Sequence, residues 1–266
     1  IITWAQQGFP KNYTYYNAPA KKNDLNVYAK VMQSLGSGFT GFLDIQGRFI
    51  KYDIHGFKDN PDLFINEEYS FFNPKGGISF NKNNYQAYLS FSVAAKEPNR
   101  DDYEASANQI PSPEILYDVE LGLENRNEVF NYGATFYYMY YRNQLVNTGK
   151  INDVGAYTRT NTPQSYRTGV ELQAGAVVSK WIHLSGNIAF SKNKIKDFME
   201  YVDNYDGGLQ KENIYNNTDI SFSPNIVGAG SVNIIPVKNG EINFQSKYVG
   251  RQFLNNTSHI IRSIIP

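Results

Sequence analysis

The stretch NYQAYLSFSVAAK (84–96) decides the fold. Its odd positions are Tyr85, Ala87, Leu89, Phe91, Val93 and Ala95; its even positions are Gln86, Tyr88, Ser90, Ser92, Ala94 and Lys96. One side is apolar and the other mostly polar, at a period of two, as in an extended strand with one dry face. The pattern returns downstream. Tyr117, Val119, Leu121 and Leu123 alternate with Asp118, Glu120, Gly122 and Glu124, and Phe130, Tyr132, Ala134, Phe136, Tyr138 and Tyr140 with Asn131, Gly133, Thr135, Tyr137, Met139 and Tyr141. Val170 to Val178, Ile182 to Phe190 and Ile242 to Tyr248 behave alike, and similar strands are expected near 25–35, 39–54, 69–80 and 219–234. The total is about ten strands and no convincing helix.

The connections sharpen this reading. Tight links at Gly36-Ser37-Gly38, Asn81 to Asn84, Asn125 to Asn127, Ser179-Lys180 and Val237 to Gly240 carry turn chemistry. They alternate with long polar segments over 55–68, 97–114, 146–165 and 198–218. Short turns at one end and long loops at the other are the layout of an outer-membrane barrel. Such a barrel also explains Asp118, Glu120 and Glu124 on one strand face, because a water-filled lumen keeps that face wet.

Composition agrees. The chain has 266 residues, and its 21 Tyr and 17 Phe against 3 Met suit pleated surfaces and membrane interfaces. Mean hydropathy is −0.49, which alternation produces even in a transmembrane sheet, since it hides apolar residues from any average. Twenty-five basic and 25 acidic side chains argue against a nucleic-acid partner, which needs a concentrated basic face. The absence of cysteine excludes disulfides and thiolate metal sites. No apolar run reaches the ~18 residues of a membrane helix, and Ile1 to Phe9 has neither the basic flank nor the small residues of a signal peptide. Pro74 and Pro224 lie inside strand patterns, where each needs a bulge or frayed pairing to absorb its missing N–H.

The segments FFNPKGGISFNKNNYQAYLSFSVAAKEPNRDDYEAS (71–106) and EILYDVELGLENRNEVFNYGATFYYMYYRNQLVNTGKINDVGAYTRTNTPQSYRTGVELQAG (114–175) resemble the late barrel of TonB-dependent outer-membrane receptors. The likeness covers 25–254 and rests on F-x-N-P-K, K-E-P-N-R, L-x-D/N-x-E-x-G and S-x-R-x-G-x-E-L in that order. It implies an all-β, antiparallel transmembrane β-barrel, of which this chain is an open fragment of about ten strands from a barrel of about 22. It also implies a location in the cell outer membrane, lipid as one partner, and active uptake of an iron chelate, cobalamin or glycan. A TonB-type energising protein would act through a plug domain that 1–266 does not contain. On this reading residues 1–266 are one partial barrel lacking the plug and the terminal strands, and Ile260 to Pro266, which keeps no alternation, suggests truncation or a reading-frame error. The alternatives are a small complete barrel acting as a pore or adhesin, and a soluble carbohydrate-binding β-protein.

No enzyme is expected, since G-x-S-x-G, H-E-x-x-H and a phosphate loop are all missing. No cofactor is expected either. His55, His183 and His259 are far apart in sequence, and VDNYDGG (202–208) lacks the ligand spacing of an EF-hand. The residues expected at a ligand vestibule are Arg100, Asp101, Asp102 and Tyr103 on one outer loop, with Arg159, Tyr166 and Arg167 from the next.

Overall fold

Period-two alternation becomes strand wherever it occurs, and in the computed structural model it assembles a single curved antiparallel sheet of 11 strands. Residues 17–58, 60–104, 110–151, 155, 157–208 and 210–265 are described. The strands are β1 (Ala20–Gly36), β2 (Phe39–His55), β3 (Phe64–Lys82), β4 (Tyr85–Lys96), β5 (Glu114–Asn125), β6 (Phe130–Ile151), β7 (Tyr157–Ser179), β8 (Ile182–Val202), β9 (Lys211–Asp219), β10 (Ile226–Val237) and β11 (Gly240–Val249). Each pairs with the next in sequence, except that β8 carries β9 on its upper half and β10 on its lower half. The sheet does not close; among the described residues β1 and β11 each have one neighbour.

The register converts alternation into a band. Ile78, Leu89, Leu121, Phe136, Val170, Phe190 and Ile226 lie side by side across seven strands. All but Val170 are among the large hydrophobic side chains left exposed. A continuous exposed apolar row would aggregate in water and is what hydrocarbon solvates. The opposite face presents Ser90, Glu120, Tyr137 and Ser191 at neighbouring positions of the same strands.

Inward aromatic rings lie over glycines on the adjoining strand. Phe42 faces Gly77, Tyr88 faces Gly122, and Tyr137 faces Gly169. A Cβ at Gly122 would collide with the Tyr88 ring. Gly122→Ala should therefore cost about 1–3 kcal/mol, read as a lowered urea midpoint in lipid vesicles. Gly230→Ala is the control: its Cβ would meet nothing closer than 3.7 Å, so the change should be neutral or stabilising.

The prolines are absorbed by local substitutions. Asn81 donates its N–H to the carbonyl of Gly38, just before β2, so even residues of β3 bond toward β4. Pro74 is even, and the β3–β4 ladder stops at Lys75–Ser92. The next donor, Ala95 N–H, is taken by the Asn73 side chain at 2.9 Å. At Pro224 the chain breaks between β9 and β10: from Asp219 to Ile226 it advances past only Lys194 to Phe190 of β8. Pro163 faces Asn143, which has a φ of 56° and whose carbonyl accepts from Asn161 Nδ2 at 2.6 Å.

Several loop expectations need correction. Of the four long outer segments, the described residues between β4 and β5 stay outside the sheet, and they include a four-residue helical turn, α1 (Arg100–Tyr103), where no helix was expected. The segments 146–165 and 198–218 are largely strand, since β6 and β7 reach Ile151 and Tyr157, and β8 and β9 reach Val202 and Lys211, while in 55–68 the sheet takes only His55 and the residues from Phe64 onward. The strand expected at 219–234 is interrupted. Residues 1–16 lie outside the described residues, and β1 begins at Ala20 rather than near 25. The final segment, irregular in sequence, forms a small ladder of β12 (Gln252–Phe253) with β13 (Ser263–Ile264).

Above the apolar band these extensions pack into a cap. The upper β6–β7 hairpin is covered on both faces. Arg159 and Asn161 bond the 97–112 loop at Asp102 and Ser112. Thr162 Oγ1 donates to the Asp197 carbonyl on β8, and Val146 joins Ile195, Phe198 and Ile220 in a buried cluster. The last segment docks here too, through buried Asn256 on Ser221 and Asn147 and through Arg262 on Glu200 at 2.8 Å.

Candidate functional site: the outer vestibule

The loop after β4 folds inward and is fastened at four points. Glu97 is 7% exposed and meets Lys22 Nζ at 2.7 Å and Arg48 Nη1 at 2.8 Å; Arg48 also reaches Asp24 at 2.6 Å. Burial pushes the Glu97 carboxyl up, but bonds from Lys22 and the nearby Arg48 charge more than offset it, leaving it below the usual glutamate range. Arg100 lies over the Phe57 ring and donates to the carbonyls of Ala18 and Gly56. Asp102 closes the helical turn onto Asn99 and receives Arg159 in a two-pronged pair at 2.7 and 2.6 Å. Tyr103 is fully buried among Ile50, Tyr52, Ile54 and Ile65, with its hydroxyl 3.1 Å from that of Tyr69. Burial drives that hydroxyl far above the ordinary tyrosine range.

The expected vestibule residues thus divide. Arg100, Asp102 and Tyr103 are anchors of the loop, and Arg159 is joined to them through Asp102; only Asp101 is exposed. Arg167 faces the lumen and donates to Ser223 at 3.0 Å. Tyr166 is not brought to the vestibule. It shares strand parity with Val170 and Leu172 on the outward face and stacks on Tyr138, with centroids 6.2 Å apart. Sequence reading missed Lys22, Arg48 and Glu97, whose partners are separated by tens of residues. The KEPNR motif (96–100) contained the one available signal, a glutamate flanked by the strand end and the loop.

Because Glu97 titrates below its unfolded value, its clasp contributes fully above about pH 4.3 and is lost as pH falls through the folded value. Protease protection of 97–104 should hold at pH 6 and fall below about pH 4, and Glu97→Gln should flatten that dependence. A pH-independent wild-type profile would contradict this.

Lower down, the lumen wall forms a recess of about 720 Å³ lined by Gln86, Tyr88, Glu124, Thr135, Glu171 and Gln173. His183, one residue into β8, borders another polar recess. Among the described residues no group of three or more side chains is gathered as a metal site.

Comparison with known proteins agrees with this architecture. The siderophore receptor PiuA from Acinetobacter baumannii superposes with a TM-score of 0.70 at 14% identity, over 90% of this chain and 35% of that one. The ferric yersiniabactin uptake receptor FyuA from Yersinia pestis gives 0.63 at 14%, over 91% and 36%. The copper transporter OprC gives 0.68 at 11%, over 92% and 37%. At these identities the likeness is one of fold, and the chain spans little more than a third of each structure. No curated protein sequence matches it. The model of the TonB dependent receptor-like β-barrel matches residues 4–256. With an open sheet dry on one face and wet on the other, the chain belongs to the TonB-dependent receptor β-barrel family.

Proposed function

We propose that this chain forms barrel wall and outer loops of an outer-membrane receptor that imports a small ligand by active transport. The observation that carries the reading is the two-faced sheet: a seven-strand apolar row outside, polar and acidic side chains inside, and a packed cap above. Such a wall gives lipid one face and a water-filled path the other. The named relatives act on siderophores, ferric yersiniabactin and copper, which supports a metal or metal chelate as cargo, with cobalamin and glycans as the other classes. Coupling to a TonB-type inner-membrane protein, through a plug domain, supplies the energy in this reading. In this reading the exposed Asp101 and the lumen-facing Arg167 are the vestibule groups offered to incoming ligand.

Uptake of a ⁵⁵Fe-labelled chelate panel, a copper salt and labelled cobalamin by cells making the receptor provides the test. Uptake of one ligand should vanish when the proton gradient is collapsed. Accumulation insensitive to the gradient, or steady ion conductance in planar bilayers, would favour a passive pore instead.

A further inference from the structure

Outward charge is spread unevenly over the sheet. Lys192, Lys194 and Lys196 share parity with Phe190 of the apolar row, so they face away from the lumen. Arg142 on β6 shares parity with Phe136 and faces the same way. Lys196 Nζ reaches Gln164, one residue past the end of the β7–β8 ladder at Ser165–Ile195, and Gln164 pairs in register with Arg142. Lys194 is held by Asp219 at 2.8 Å. Among the described residues no carboxylate pairs with Lys192, Lys196 or Arg142. Near the upper end of β2, by contrast, outward cations are matched: Lys51 by Glu68, and His55 by Asp53.

The height of these lysines is informative. They lie ten to fourteen residues above Ile182, where β8 begins, or about 33–46 Å along the strand. A tilt near 40° turns this into about 25–35 Å of height, at the outer boundary of a hydrocarbon layer about 30 Å thick. Tyr166 stands opposite Lys194 and stacks on Tyr138, as aromatic rings do at that boundary. The apolar row thus gives way to cations at the level of the outer headgroups.

The wall is also broken here. The β8–β10 ladder ends at Phe190–Ile226 and the β8–β9 ladder starts at Lys194–Asp219. Beside that gap lies a recess of about 710 Å³, lined by Lys192, Lys194, Asp219, Asn225, Tyr248 and Arg251 among others. Lys194 and Asp219 neutralise each other. Lys192 and Arg251 remain, both exposed and neither with a carboxylate partner among the described residues. Below the recess, Phe190 and Ile226 are exposed apolar side chains.

We infer that this recess holds a phosphate-bearing lipid of the outer leaflet. Its phosphate oxygens accept from Lys192 and Arg251, and its acyl chains lie down over Phe190 and Ile226. A lipid without phosphate would leave both cations unmatched where each must give up water. Bound there, the lipid spans the gap in the wall between the two ladders of β8. The site rests on the reading that this face lies in the outer membrane, and it is separate from the ligand path through the lumen.

The test uses the complete receptor carrying this chain, stripped of lipid in a neutral detergent and titrated with lipid A, an acylated disaccharide bearing two phosphates. Native mass spectrometry counts the molecules retained. The double variant Lys192→Gln/Arg251→Gln should retain one molecule fewer than wild type, and occupancy of that site should need at least about tenfold more lipid. Lys51→Gln, which removes a matched outward cation, should bind as wild type does. Dephosphorylated lipid A should bind wild type as weakly as lipid A binds the double variant, an arm that needs no substitution. Inorganic phosphate at millimolar concentration should not displace lipid A. Equal retention by wild type and double variant, or equal binding of dephosphorylated lipid A, overturns the proposal. Displacement by inorganic phosphate would mean a site for the free anion and overturns it as well. Loss of the lipid site in a receptor that inserts into vesicles sinks this site alone; failure to insert at all would sink the membrane reading.

Discussion

Phe136→Arg should lower folding stability in lipid vesicles by about 2–4 kcal/mol, the range for arginine at the midplane of such barrels, while Thr135→Arg costs far less. Phe136 is half exposed, between Leu121 and Val170 in the apolar row. It lies six residues above Phe130, where β6 begins, about 20 Å along the strand. A strand tilt near 40° turns this into about 15 Å of depth, close to the middle of a hydrocarbon layer of about 30 Å. An arginine there has no water within reach except by distorting the bilayer. Thr135 points the other way, between Gly122 and Glu171, so an arginine at this position stays solvated and gains an acidic neighbour. Urea titration of the receptor refolded into vesicles measures both. Equal penalties, or a larger one at Thr135, would contradict the assignment of faces.

Tyr103→Ala should release the loop after β4 at a local cost of about 3–5 kcal/mol, the range for removing a fully buried aromatic side chain. The ring packs in the core over β2 and β3, edge-on to Tyr52 at 5.3 Å. Tyr103→Phe keeps the ring and loses only the hydrogen bond to Tyr69, at about 1 kcal/mol. Trypsin cleavage after Arg100 reads the difference: fast in the alanine variant, near wild type in the phenylalanine variant. Slow cleavage in both would mean that the Glu97 and Asp102 ion pairs hold the loop unaided.

Faces were legible in the sequence because each strand inside the apolar band has one dry and one wet side, which writes the period into the residues. Leu89, Leu121 and Phe136 could be assigned without any pairing partner in view. Strand ends were not legible for the same reason. In 146–165 both faces of the hairpin are covered, Val146 on one and Asn161 on the other, so polar and apolar residues no longer alternate. The 198–218 segment shifts phase as well: Asn193 and Ile195 are buried, then Phe198 and Glu200, across a ladder that skips Asn217 at a φ of 57°. Tyr166 is a different kind of miss, since its parity with Val170 and Leu172 was available and places it outward. The Asp102–Arg159 pair joins the loop after β4 to the start of β7, far apart in sequence, and no local pattern encodes it.

The β3–β4 ladder stops at Lys75–Ser92 and the β7–β8 ladder at Ser165–Ile195. Below those points the wall is a woven fabric, in which a pull on one strand is shared by every neighbour. Above them it is an assembly of pieces fastened by individual buttons: Asn73 on Ala95, Asp102 on Arg159, Asn256 on Asn147. Under force, the fabric should yield in one event. The collar should come undone button by button, in small steps and at lower load.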